Sequence, residues 1–180
     1  MVCDRCIMVV KQQLEILGFT VGEITLGSAH VLPIPDSEQL SKISSALKVL
    51  GFELIDSEKD KIVSRIKNVI VEKIHHSDLT DTHLSFSSLL ADNLNKDYAY
   101  LSRMFSESED TTIERFIIQQ KIEKVKELME YGEHNLNEIA YKMGYSSSAH
   151  LSAQFKSITG LTPSQFKVSE QRQRKAIDKI

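Results

Sequence analysis

One stretch of this chain is written twice. Ala91 returns as Ala140, a shift of 49 positions, and from there the shift is 50: Leu101 returns as Leu151, Phe105 as Phe155, Thr112 as Thr162 and Phe116 as Phe166. A fixed period of this length means one supersecondary unit built twice. The second copy, Asn135 to Phe166, is the easier to read. A short amphipathic segment (Leu136, Ile139, Ala140, Met143) ends at Gly144, and glycine closes a helix in the left-handed conformation at no steric cost. Ser146 to Ser148 then offer N-caps for a second helix, in which Leu151, Phe155 and Ile158 form one buried stripe before Gly160. In the first copy Asn95 stands where Gly144 does, and Asp110 where Gly160 does. Asn and Asp are the side chains that best tolerate the left-handed region, so both copies are expected to turn at the same two places.

The first copy reads as a helix from Phe86 to Asn93, a turn through Asn95 and a helix from Asp97 to Ser106. Two short helices joined by a tight turn, with small Ala140 where they cross, form the helix-turn-helix pattern. The plainer reading is an αα-hairpin that only packs, and the second copy argues against it. Ser148, Ala149, Ser152 and Ala153 lie on the face away from Leu151 and Phe155. Small and polar side chains there let a helix enter a major groove. A capped helix start follows each copy: Thr112 in one, and in the other Thr162-Pro163 with Gln165 completing a capping box. From Thr112 a helix runs over Ile113 to Glu130, about 18 residues and roughly 27 Å at ~1.5 Å per residue. That approaches one DNA turn of roughly 34–36 Å, so the rod suits two recognition helices in successive grooves.

Two such units joined by a long helix, with G-Y-S-S-S-A-H-L-S-A-Q-F-K and G-L-T-P-S-Q-F-K closing the second, resemble the DNA-binding domain of AraC/XylS-type transcriptional regulators over about Asp78 to Lys167. The resemblance implies an all-α double helix-turn-helix fold, double-stranded DNA as partner and sequence-specific transcription regulation. It carries base-facing roles onto Ala99, Ser102 and Arg103 in the first recognition helix, and onto Ser148, Ala149, Ser152 and Ala153 in the second. Lys156 and Lys167 suit phosphates, and Arg103 suits bidentate contact to guanine. Leu101, Phe105, Leu151, Phe155 and Phe166 are core. Tyr98 and Tyr100 stand between core edge and DNA contact, and His150 is expected to pack or cap. Two departures matter. Asp97, Glu107, Glu109 and Asp110 crowd the first unit, and Ala153 replaces the longer polar or basic side chain of many relatives.

The N-terminal part has another pattern. A helix through Ile7, Val10, Leu14 and Leu17 ends at Gly18. Phe19–Leu26 and Ala29–Leu32 read as strands about Gly27-Ser28, a helix starts at Asp36 and ends at Gly51, and Phe52–Ile55 reads as a last strand. The expected order is α-β-β-α-β. The opening MVCDRC and the steps Leu17-Gly18-Phe19 and Leu50-Gly51-Phe52 resemble heavy-metal-associated domains, which are ferredoxin-like. That resemblance implies a soft cation, Cu(I) or Zn(II), on the thiolates of Cys3 and Cys6. A helix N-terminus favours thiolate and soft thiolates select such metals, although two sulfurs leave zinc short of four ligands. The alternatives are a relic fold with idle thiols and a redox pair. The chain begins at the motif Met1, so either the true start lies upstream or the sheet is one strand short, its first strand missing.

The expected whole is an α+β protein. Residues 1–56 form a heavy-metal-associated-like, ferredoxin-like domain, and 57–76 a connecting helix through Ile62, Ile66, Val69, Ile70 and Ile74, whose apolar face has the alternative of packing as the first helix of the next domain. Residues 77–170 form the double helix-turn-helix domain and 171–180 a basic tail. His75-His76 reads as a solvated helix end. Net charge is −3, but it is uneven: −1 over 1–76, −6 over 77–133 and +4 over 134–180. Phosphate affinity needs local positive charge, not a positive total. No apolar run reaches the roughly 18 residues of a membrane span, and no signal peptide opens the chain, which places it in the cytoplasm. No Ser/His/Asp set, phosphate loop or complete metal cage suggests an enzyme. The rival function is a metallochaperone using Cys3 and Cys6. Effector, operator and oligomeric state are not written in the sequence.

Overall fold

Val10 and Leu14, one helical turn apart, are the buried edge of the first helix, α1 (Asp4–Ile16), in the computed structural model, which describes residues 1, 3–55, 57–77 and 85–169. An antiparallel hairpin follows, β1 (Thr20–Thr25) and β2 (Ser28–Leu32), with Val21 opposite Val31, Ile24 opposite Ala29 and a register shift between Val21 and Ile24. Gly27 turns it at φ 90°, and a Cβ there would lie 2.2 Å from Asn68 Nδ2. That position therefore favours glycine for its conformation, and a Cβ there would displace the Asn68 amide. The same Asn68 amide donates to the Leu26 carbonyl at 2.6 Å. The next helix, α2 (Ser37–Val49), starts on a capping box in which Asp36 accepts from the Gln39 amide and the Gln39 side chain accepts from the Asp36 amide. Val10, Leu14, Phe19, Ile43 and Leu47 form the core, with Val21, Val31, Phe52 and Leu54 packed on it.

The strand expected at Phe52–Ile55 does not form. Among the described residues the sheet has two strands, and the order is α-β-β-α. The Phe52 amide is already bonded to the Leu47 carbonyl at 2.9 Å, as part of the C-terminal closure of α2. Alternating Phe52 and Leu54 report burial, not strand pairing, because pairing also needs a free neighbouring edge. The ferredoxin-like sheet expected for residues 1–56 is thus absent from the described residues, and an α-β-β-α unit stands there.

Ser57 caps α3 (Glu58–His75) by accepting from the Asp60 amide at 3.1 Å. The chain divides into two compact units, Met1–Asn68 and Val69–Ile180, so the division falls inside this helix and not at either end of it. Val63 and Ile66 are buried before the division, and Ile70, Val71 and Ile74 after it. The second half of α3 is therefore the first helix of the second unit. His76 is exposed, as a helix end should be, but His75 is not a solvated end. Its Nε2 meets Oε1 of the fully buried Gln120 at 2.8 Å, and burial pushes its pKa below the usual histidine value against that bond.

The second unit continues with α4 (Phe86–Leu94), α5 (Tyr98–Glu109), α6 (Ile113–Tyr131), α7 (Leu136–Lys142), α8 (Ser148–Thr159) and α9 (Pro163–Val168). The repeat in sequence is a repeat in packing. Phe105 and Phe116 meet with ring centroids 5.6 Å apart, and their counterparts Phe155 and Phe166 meet at 5.5 Å. Such tilted ring pairs add to the burial of large apolar surface. Leu101 and Leu151, also counterparts, are fully buried. α6 buries charge as well: Lys126 Nζ bonds Glu123 Oε1 at 2.6 Å and lies 5.7 Å from the centre of the Phe166 ring, tying α9 to the rod. Among the described residues no helix is long and apolar enough to cross a membrane.

Candidate nucleic-acid interface

The turns that aim the exposed helices are alike in the two copies. Asn95 (φ 50°) and Gly144 (φ 68°) hold the first turn in the left-handed region, and Asp110 (φ 50°) and Gly160 (φ 79°) hold the second. Each following helix begins on a side-chain cap. Asp97 accepts from the Ala99 amide at 2.9 Å, and Ser147 from the His150 amide at 3.1 Å. Thr112 accepts from Arg115 at 3.2 Å, and Thr162 from Gln165 at 3.3 Å within a full capping box. These caps satisfy amides that a helix start would otherwise leave open, and they fix where the surfaces of α5 and α8 point.

On α5, Ala99 and Arg103 are exposed and Ser102 is half-buried; on α8, Ala149 and Ala153 are exposed and Ser148 and Ser152 half-buried. Leu101, Phe105, Leu151 and Phe155 turn inward, so each helix has one apolar face inside and one small, polar face outside. The Ser152 hydroxyl is turned back onto the helix and donates to the Ser148 carbonyl at 2.7 Å. Lys156 is exposed one turn beyond Ser152, and Lys167 is exposed on α9. The residues of the basic tail, Arg172, Arg174, Lys175 and Lys179, lie outside the described residues.

Three arrangements add to the sequence reading. Tyr98 and Tyr100 separate in role: the Tyr98 hydroxyl donates to Glu114 Oε1 at 2.5 Å, tying α5 to the first turn of α6. Burial, reinforced by that carboxylate, pushes the Tyr98 pKa up, and the same bond is the main reason that Glu114 is held low. Tyr100 faces two cations instead, Lys96 Nζ at 5.4 Å and the Arg103 guanidinium at 6.0 Å from its ring centre. The spacings of four and three carried this signal. At the counterpart of Tyr100, His150 is exposed, bonds Ser146 through Nδ1 at 3.1 Å and sets its ring edge-on to Tyr145 at 5.4 Å, so it packs as expected. The third arrangement is Lys121, whose Nζ donates to the Met143 carbonyl at 2.9 Å across a sequence distance that no local pattern covers.

In the first unit, Cys3 and Cys6 place their sulfurs 3.4 Å apart at the start of α1, both half-buried and neither in a disulfide. Among the described residues no group of three or more His, Cys, Asp or Glu side chains is placed to hold a metal.

The family described as "Helix-turn-helix domain" matches residues 90–169, which span α5 to α9 and most of α4. Residues 90–169, less than half of the chain, are similar to that family. The C-terminal domain of AraT, a response regulator from Geobacillus stearothermophilus, is 27% identical, with a TM-score of 0.53 over 64% of this chain and 93% of that one. A DNA-binding transcriptional dual regulator from Escherichia coli K-12 shares the fold, with a TM-score of 0.51 at 16% identity, covering 64% of this chain and 95% of that one. The Msm operon regulatory protein of Streptococcus mutans is 26% identical over 140 residues, 75% of this chain. The chain spans about half the length of that relative, 50%. These likenesses are to regulators, and no heavy-metal-associated domain is among them.

Proposed function

We propose that the chain is a sequence-specific DNA-binding transcription regulator of the AraC/XylS type, acting in the cytoplasm, with α5 and α8 reading successive major grooves of one duplex. The observation that carries this reading is the duplicated geometry: two outward faces of small and polar side chains, each set by the same pair of left-handed turns. Ala99, Ser102 and Arg103 face bases from α5, and Ser148, Ala149, Ser152 and Ala153 from α8. Lys156 and Lys167 take phosphates. The Ser152 hydroxyl, already bonded within its helix, contributes chiefly a small contour. The regulators among the relatives support the same class of function. In the test, the full chain selects from random double-stranded DNA, followed by footprinting. Two protected patches one helical turn apart on one face are expected; enrichment of no sequence would sink the reading.

A finer part of the proposal concerns the thiols, because 3.4 Å between sulfurs at a helix start is a ready donor pair. Two thiolates match the low coordination that Cu(I) accepts and fall short of the four ligands of structural zinc. Cys3 and Cys6 would hold the ion, and the ion would supply a crosslink across the first turn of α1. Cu(I) and Zn(II) titrated into wild type and Cys3→Ser/Cys6→Ser should change operator affinity only in wild type and only with Cu(I). Equal DNA binding in every case would end this part and leave the DNA reading standing. A metallochaperone is not favoured, since the duplicated DNA-facing geometry has no use in metal transfer.

A further inference from the structure

Lys121 sits midway along α6, and its ammonium meets both helix-turn-helix units at once. Nζ donates at 2.9 Å to the carbonyl of Met143, the C-cap residue of α7. The same nitrogen lies 5.3 Å from the centre of the Tyr145 ring, in the turn of the second unit, and 5.9 Å from that of Phe86, the first residue of α4 in the first unit. A carbonyl at a helix C-terminus and two ring faces all present negative potential to it. The ammonium is largely withdrawn from water, and burial pulls its pKa down. The Tyr145 hydroxyl is buried without a hydrogen-bond partner. That ring is therefore held here by its packing and by the cation, not by its own polar end. A lysine desolvated at this cost, where a leucine would pack more simply, marks a position whose value is directional.

We propose that Lys121 is a positioning residue that clamps the two helix-turn-helix units at one separation on α6 and so sets the half-site spacing the chain accepts. This rests on the two-groove reading above. Each unit keeps its own aromatic core without Lys121, namely Phe105 on Phe116 and Phe155 on Phe166. Phe116 joins the first core to α6, where Tyr98 also braces α5 through Glu114, and Phe166 joins the second core to α9. None of these contacts runs from one unit to the other, whereas the Lys121 cation is shared by Phe86 of α4 and the α7–α8 turn. Lys121→Met keeps the apolar stem and removes the charge and the bond.

Two measurements test this. Spin labels at Ala99→Cys and Ala149→Cys, counterpart exposed sites on α5 and α8, in a Cys3→Ser/Cys6→Ser background report the distance between recognition helices without DNA. A single narrow distribution is expected, and Lys121→Met should lose it. An unchanged distribution in a folded Lys121→Met protein overturns the clamp. The second measurement uses duplexes from random-sequence selection, re-spaced by single base pairs between the two protected patches. Wild-type affinity should fall roughly tenfold per base pair of shift, the cost of a lost base contact, and Lys121→Met should flatten that profile while binding an isolated second half-site as wild type does. The same steep profile in both proteins overturns the proposal. If Lys121→Met does not fold, Tyr145→Leu, which removes one ring and leaves the bond to Met143, decides by the same readouts. Should wild type select no sequence, the two-groove reading falls and the spacing role with it, while the distance measurement still decides whether Lys121 is a clamp.

Discussion

The two helix-turn-helix copies share a backbone and differ in how they hold it. The second uses glycine at both left-handed turns, where the first uses Asn95 and Asp110. The second starts α9 on a proline and a full capping box; the first starts α6 on a lone threonine cap and adds the bond from Tyr98 to Glu114. On the outward face, Lys96, Tyr100 and Arg103 form a cation-and-ring cluster where the second copy has Ser146, His150 and Ala153. Residues 77–133 carry a net charge of −6 and residues 134–180 carry +4. The difference teaches a division of labour: one copy is held against its own acidic surroundings by specific side-chain bonds and offers one arginine, and the other is held by backbone chemistry and offers a small surface next to lysines.

The largest expected effect addresses what the copies share. Phe105→Ala and Phe155→Ala remove fully buried counterpart rings and should each cost about 3–5 kcal/mol in urea denaturation. A loss under about 1 kcal/mol in one of them would break the equivalence of the two cores. Next, Arg103→Ala should cost about 1–3 kcal/mol on a selected site and relax preference at one base pair. Lys156→Ala should weaken all sequences alike and lower the salt slope by about 1. If Arg103→Ala weakened all sequences alike, the first copy would be contributing charge and not readout. Smaller still are the turns. Gly160→Ala, at φ 79°, should cost about 1 kcal/mol, and Asp110→Gly should gain a fraction of that, because the left-handed region is strained for a residue with a Cβ. Equal and negligible shifts in melting temperature would mean that the turns are not under the same constraint.

The smallest effect tests a support from outside the repeat. His75, with its pKa lowered by burial, is favoured neutral in the fold, despite the bond from Gln120. The unfolded chain therefore binds more protons as pH falls below the ordinary histidine value of 6.5. Stability from this group is complete above that pH and lost progressively beneath it. Lys124, Glu127 and His76 also act on this ring. A stability profile from pH 7.5 to 5.5 should decline less in His75→Leu than in wild type. Parallel profiles would remove His75 from the account.

Some of this was written plainly in the chain. Asn95 and Asp110 could be placed at left-handed turns because few side chains tolerate φ near 50°, and Thr112, Thr162 and Pro163 could be placed at helix starts because capping is local chemistry. Phe52–Ile55 misled, because alternation records which side chains are buried and not whether a neighbouring edge exists to pair with. His75 misled in the same way: the partner that buries its polar edge is Gln120, on another helix 45 positions away.

The sequence by itself determined the repeat, the turns, the caps and the two outward faces, since each rests on a residue and its neighbours within one or two helical turns. Only the tertiary structure decided that α3 belongs to both units, that Tyr98 braces α5 on Glu114 of α6, and that Lys121 joins Met143, Tyr145 and Phe86. Those contacts link residues far apart in the chain, and no local propensity or spacing encodes which distant side chain will occupy the other end of a bond.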